Sequence, residues 1–332
     1  MSVAKTLAAR QHTSCVGAGL VELMVALVIG AFLLSASATA YLGARNARAQ
    51  LDAGARLQEI ARYAMALIEA DVRMAGYWGL TNRADDIAAH PSLAFPAKCG
   101  GKPWVTSATQ FVAGTNNAYL AVPSCAALSG GAQPGSDVLV VRRASAQRIA
   151  PQKATVGSTD QDRVLVVSSH ASGTVFVPQD LGNQIPASYA TTDVAGLAPQ
   201  ADTRALVVDA YYVSRGSSTA ADFPALRRKT LTAGPDIGDE EVIAGVEDLQ
   251  FQVGVDTDAD PGADVYLDPG MLPTGARIVS VRIWLRLCAP DRGTALATQR
   301  IGPYGDRAAG IVTDTRLRLL VSRTVYLRNS GS

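Results

Sequence analysis

The chain has 332 residues, of which 48% are hydrophobic, 18% charged and 6% aromatic, with a formal net charge of +1. Such a balance argues against a disordered chain, while the length leaves open one large core or two modest ones. Near-neutrality without a basic run offers no electrostatic footprint for nucleic acid and no polybasic lipid-binding segment.

Residues 1–17 hold Lys5 and Arg10 and no acidic side chain. An uncharged run follows at 23–44, LMVALVIGAFLLSASATAYLGA. A helix needs about 20 mostly apolar residues to cross a bilayer, so this run predicts a span. Lys5 and Arg10 favour the amino-terminal end on the cytoplasmic side; Arg45 and Arg48 oppose that, but no better-placed span follows. Glu22 stands at the entrance to the apolar helix. A carboxylate deep in a membrane helix costs about 2.5–3.5 kcal/mol and usually has a partner and a role. The alternative is a carboxylate solvated by headgroups with no role. Gly17-Ala18-Gly19 comes before the apolar run, whereas a secretory signal is cut after it. These glycines do not begin a nucleotide site, because no strand precedes them, and Cys15 is on the wrong side of the run for a lipoprotein.

Helical periodicity continues through Leu57, Ile60, Ala61, Ala64, Leu67, Ile68, Val72 and Ala75, with Glu69 and Arg73 at i, i+4 on the charged side. Gly76 offers a stop. One nearly continuous helix from about Ala18 to Ala75 would run about 87 Å; the long helical region 18–76 is read as transmembrane over about 20–44 and amphipathic over about 45–76. From 77 to 332 the pattern changes to short β-rich runs between Gly, Pro, Ser and Asp. The clearest are 137–142, 163–168 and 205–213, with further candidates at 246–255, 278–287 and 317–327. In the run from Ile278, Val279, Val281, Ile283, Leu285 and Leu287 share one face, and Arg282, Trp284, Arg286 and Cys288 the other. That alternation predicts an antiparallel sheet with one buried face, and hence an α+β fold: a long N-terminal helix packed on an antiparallel β-sheet domain. Stretches 84–135 and 215–240 read as looser.

Cys99 and Cys125 lie in a Gly-, Pro- and Ser-rich stretch, either as a loop-closing disulfide worth about 3–4 kcal/mol or as two unpaired small hydrophobes. Cys288 is left as a free thiol, and no Cys/His spacing suggests zinc. His90 and His170 stand in polar settings without a nucleophile motif, so no enzyme and no cofactor is expected. Asp256, Asp258, Asp260 and Asp264 in DTDADPGAD form a weak calcium candidate: Gly262 arrives one position late and no glutamate ends the loop. A solvated Asp-rich turn is the preferred reading.

The segment G-A-G-L-V-E-L-M-V at 17–25 resembles the type III signal of type IV prepilins. The resemblance implies cleavage by a prepilin peptidase between Gly17 and Ala18, N-methylation of the new terminus, and pairing of Glu22 with the amino terminus of a neighbouring subunit. This chain has Ala18 where the family usually has Phe. MAGYWGL at 74–80, GSDVLVVR at 135–142, VEDLQFQVGVDTD at 246–258, VRIWLRL at 281–287 and VYLRN at 325–329 are similar to segments of PilW-type minor pilins. That likeness implies a pilin-like fold and a minor pilin that primes type IV pilus assembly. Its implied partners are other minor pilins, the major pilin and the inner-membrane assembly machinery. It also implies a cytoplasmic N-terminus, a periplasmic β-domain and incorporation into the pilus. The competing readings are a minor pseudopilin of type II secretion and, from another class, a signal-anchored periplasmic enzyme or ligand-binding domain.

Overall fold

The structure, a computed structural model, describes residues 19–150, 155–189, 200–260, 262–290 and 297–329. Its contacts divide the chain into two units, Met1–Asp52 and Ala53–Ser332. Helix α1 runs over Leu20–Met74. In the first unit its side chains are exposed almost throughout. In the second, the predicted stripe is buried: Leu57, Ala61, Ala64, Ile68 and Val72 turn inward, joined by Met65. Each large apolar side chain buried this way contributes about 1.5–3 kcal/mol. The helix stops at Gly76, whose φ of 73° suits glycine and whose N–H donates to the Arg142 carbonyl at 3.1 Å. A Cβ there would come within 3.2 Å of the Asn329 carbonyl and the Phe111 ring.

The first sheet has eight strands. They are β1 (Ile87–Ala89), β2 (Val112–Thr115), β3 (Val138–Ala150), β4 (Leu165–Ser168), β5 (Gly173–Phe176), β6 (Asp202–Ser214), β7 (Ala225–Thr232) and β8 (Asp236–Ala244). A short helix, α2 (Gly101–Val105), lies between β1 and β2. β6 is the hub. One edge carries β3, and the other is shared by β4 against its first half and β7 against its second. The pairing is antiparallel except that β1 runs parallel to β5, which amends the all-antiparallel expectation. Two of the stretches read as loose therefore hold strands.

The chain continues through β9 (Val246–Asp256), β10 (Val265–Leu267), β11 (Arg277–Cys288), a hairpin of β12 (Ala297–Ile301) with β13 (Gly310–Asp314), and β14 (Arg318–Tyr326). The second sheet has the order β10-β9-β11-β14. Its inner face, with Leu249, Phe251, Val281, Ile283, Leu285 and Val325, meets the helix from Leu57 to Val72, Ala75 just beyond it, and one face of β3 and β6 in a common core. One predicted core position is displaced. Ile278 pairs with Val255 and Ser280 with Gly254, leaving Val279 as an extra residue. Such a bulge reverses the alternation, so Ile278 joins the core cluster in place of Val279. Cys288, expected on the wetter face, is buried, and desolvation with Glu247 nearby pushes its thiol up to about 12.

Among the described residues, the outer face of this sheet is covered at both ends: Ser280 is buried and donates to the Tyr266 hydroxyl at 3.3 Å, and residues 304–307 lie over the other end. Tyr304 donates from its hydroxyl to Asp248 at 2.8 Å, Arg307 ion-pairs with Asp248 at 3.3 Å, and Gly305 lies against Gln250.

Candidate functional site

Among the described residues, one helix is long and apolar enough to cross a membrane, and none of its most apolar window is buried. Leu20, Phe32 and Leu34 are 76%, 72% and 73% exposed. A continuous apolar surface of this kind marks contact with lipid or protein rather than water. Glu22 sits in the first turn, and its Oε2 accepts the Gly19 N–H at 3.1 Å. Acceptance at the third helical position of the N–H just before the helix is one half of a capping box, and the carboxylate also complements the positive end of the helix dipole. Gly17, Ala18 and the rest of the expected leader lie outside the described residues.

The second half of the helix is fixed to the sheet by a charge. Asp71, one turn before the helix end, is buried and accepts from the Arg143 guanidinium at 2.6 and 3.1 Å and from the Tyr211 hydroxyl. Asp209 lies beside it with Arg228 at 3.4 Å, and Arg228 also pairs with Glu240. Burial, and next the negative charge of Asp71, push the Asp209 carboxyl up to about 7. Glu69 pairs with Arg73, as the spacing predicts, and also with Arg323 of β14. Sequence reasoning missed Asp71 because a lone acid among helix-surface residues looks like a solvated one.

It also missed a ladder on the β7–β8 hairpin. Arg227, Arg228 and Lys229 stand opposite Glu241, Glu240 and Asp239. Arg227 and Lys229 are buried, each 2.7 Å from Asp239, and they also hold the 126–129 segment through the Ala126 carbonyl and the Ser129 hydroxyl. A visible signal existed: RRK and DEE, opposite in sign and either side of a Gly-Pro turn.

Cys99 and Cys125 are joined in a disulfide across 26 residues. The enclosed loop packs Cys99 and Val122 on Val138, Val140 and Tyr212. Its Trp104 donates from the indole to the Ala121 carbonyl at 2.7 Å. Arg142, buried beneath it, donates to the carbonyls of Trp104 and Gln110 at 3.0 and 2.6 Å, and desolvation brings its guanidinium down to about 10.

Of the four aspartates in the acidic loop, Asp256, Asp258 and Asp260 converge, with ligand oxygens within 4.8 Å of one another. Asp264 does not join them; its Oδ2 accepts from the Thr257 N–H and hydroxyl. The three carboxylates accept backbone N–H groups two or three residues on, the pattern of successive Asx turns, and Arg277 is 2.8 Å from Asp256. Asp258 and Asp260 are exposed, whereas Asp256 is buried. His90 accepts the Ser92 N–H at 3.2 Å, and His170 lies in an exposed turn.

These features define a β-rich unit that follows, in the same chain, an uncharged helical segment of membrane-spanning length, held together by ion pairs and showing surfaces for contact. Within it, residues 210–329 match the family model of PilW, described as type IV pilus-assembly protein W. The match runs from the second half of β6 to just beyond β14, and the family it describes acts in type IV pilus assembly. The PilW-like segments at 246–258, 281–287 and 325–329 fall inside the match, and those at 74–80 and 135–142 lie before it. No curated protein and no solved structure matches the chain.

Proposed function

We propose that the chain is a minor pilin that joins other minor pilins in the inner membrane and primes assembly of a type IV pilus. The observation that carries this reading is the PilW match at 210–329 in a chain whose residues 20–44 form an exposed helix without charge beyond Glu22. In this reading a prepilin peptidase cuts between Gly17 and Ala18 on the cytoplasmic side. Residues 20–44 then anchor the chain, with the β-rich unit in the periplasm. Glu22 pairs with the freed amino group of a neighbouring pilin. A buried carboxylate and a buried ammonium relieve each other's desolvation only when paired, which motivates that role.

The test combines N-terminal sequencing of the membrane-extracted protein with fractionation of sheared pili. A start at Ala18, and a Glu22→Ala variant that is processed normally yet missing from pili, are expected. An intact Met1, or normal incorporation of the variant, overturns the reading. A deletion strain that keeps its pili but stops exporting enzymes would transfer the chain to type II secretion as a pseudopilin.

A further inference from the structure

Among the described residues, the outer face of the second sheet keeps a partly exposed strip between two covered ends. The end near Asp248 and Gln250 lies under residues 304–307 and Ser280 is buried beneath Tyr266, whereas between them Arg282, Trp284 and Thr324 are half-buried and Ser322 and Tyr326 exposed. The registers Arg282↔Thr324, Trp284↔Ser322 and Ser280↔Tyr326 put these side chains on one surface.

Arg282 is held at the centre of this surface. Its guanidinium carbon is 3.8 Å from the centroid of the Tyr266 ring and 5.9 Å from that of Trp284. Its Nε donates to the Thr324 hydroxyl at 3.4 Å. The seat for Tyr266 exists because the residue opposite it is Gly254, where a Cβ would come 3.0 Å from the ring and 2.2 Å from the Ser280 hydroxyl.

Arg282 differs from every other arginine in the strands of this sheet. Arg277, Arg286, Arg318 and Arg323 each have a carboxylate partner, in Asp256, Glu247, Glu247 and Glu69. Among the described residues, no carboxylate comes within ion-pair distance of Arg282. A guanidinium keeps its charge at any physiological pH and presents its remaining N–H groups in one plane, a fork that matches a carboxylate. Rings on it fix that plane in advance, so little further freedom is lost on binding.

We propose that this partly exposed strip is a protein-docking surface, with Arg282 as the anchor that receives an Asp or Glu carboxylate from a partner protein of the assembly. This deepens the assembly reading and rests on it. Tryptophan, tyrosine and arginine are the side chains that dominate binding energy at protein interfaces. A nucleic acid fits less well, because tracking a phosphate backbone needs a stripe of cations. Here the neighbours are Gln252, which donates to Asp268 at 2.8 Å, and neutral residues of β14.

The test uses the full-length chain in its own cells, with a photoreactive benzophenone amino acid in place of Ser322 and the crosslinked peptide identified by mass spectrometry. The expected adduct is to a protein segment containing Asp or Glu. Its yield falls about tenfold with Arg282→Gln, the loss of a charge-assisted contact. Arg282→Glu should recover the adduct when the partner's acid is changed to arginine. Thr324→Glu is a second variant: it offers Arg282 an internal carboxylate and should suppress the adduct while leaving the arginine in place. Protease resistance of both variants confirms their folding. Unchanged adduct in the folded variants, a partner peptide without an acidic residue, an adduct removed by nuclease, or no adduct at all would overturn the surface. Pilus yield in a deletion strain reads the assembly role separately. Unchanged pili with an Arg282-dependent adduct overturns that role alone, and lost pili with Arg282-independent adducts overturns the surface alone.

Discussion

Asp209→Asn should make the protein more stable at neutral pH and flatten its pH dependence. Asp209 is 2% exposed on β6, faces Asp71 of the helix, and its Oδ1 has no hydrogen-bond partner among the described residues. Its carboxyl stands at about 7 in the folded protein against an ordinary 3.8. A carboxyl raised in the folded state binds its proton more tightly there than in the unfolded chain. Stability from this group is therefore fully present below pH 3.8 and is lost as the pH rises through 7. That difference in proton affinity corresponds to about 4 kcal/mol. Asparagine keeps the shape and an N–H toward Asp71 without the charge, so the variant should gain about 2–4 kcal/mol at pH 8 and little at pH 4. Asp137, also raised to about 7 by burial, leaves a smaller slope of the same sign. Asp314, held down at about 2 beside Arg318, acts at lower pH and with the opposite sign. The assay is denaturant unfolding of the full-length chain in detergent between pH 4 and 8. A variant that tracks the wild type at a constant offset over that range refutes the reasoning.

Two further outcomes are expected. Cys99→Ser opens a disulfide closed across 26 residues and should cost about 3.5 kcal/mol by loop entropy, read as a lowered unfolding midpoint that reducing agent no longer shifts. An equal shift by reducing agent in both proteins would refute it. In Gly114→Ala the added methyl would stand 2.1 Å from the Val138 carbonyl oxygen and 2.5 Å from the buried Phe251 ring, so backbone must move. The expected loss is about 1–3 kcal/mol of unfolding free energy, and an unchanged midpoint would count against the packing of β2 on β9.

Elements stated by a local period were legible. The uncharged run at 23–44, the stripe from Leu57 to Val72 and the alternation from Val281 to Leu287 each depend on neighbours within a few positions, and each lies where its pattern puts it. The charged hairpin was not legible. Arg227 and Lys229 break any apolar alternation, and they become buried residues only because Asp239 stands across the turn. Val279 is buried as its position predicts but lies outside the common core cluster, because a single bulge interrupts the alternation without altering the sequence pattern around it.

The amino-acid sequence alone determined that one helix would be apolar enough for a membrane, that its second half would carry an apolar stripe, and that strands would follow. Only the tertiary structure decided which charges are buried. Asp71 meets Arg143 and Tyr211 from 72 and 140 residues away, and among the described residues Arg282 is left without a carboxylate while the other arginines of its sheet have one. The physical reason is range. Periodicity reports the environment along a helix or strand, whereas the cost of burying a charge is settled by the groups that folding brings to it.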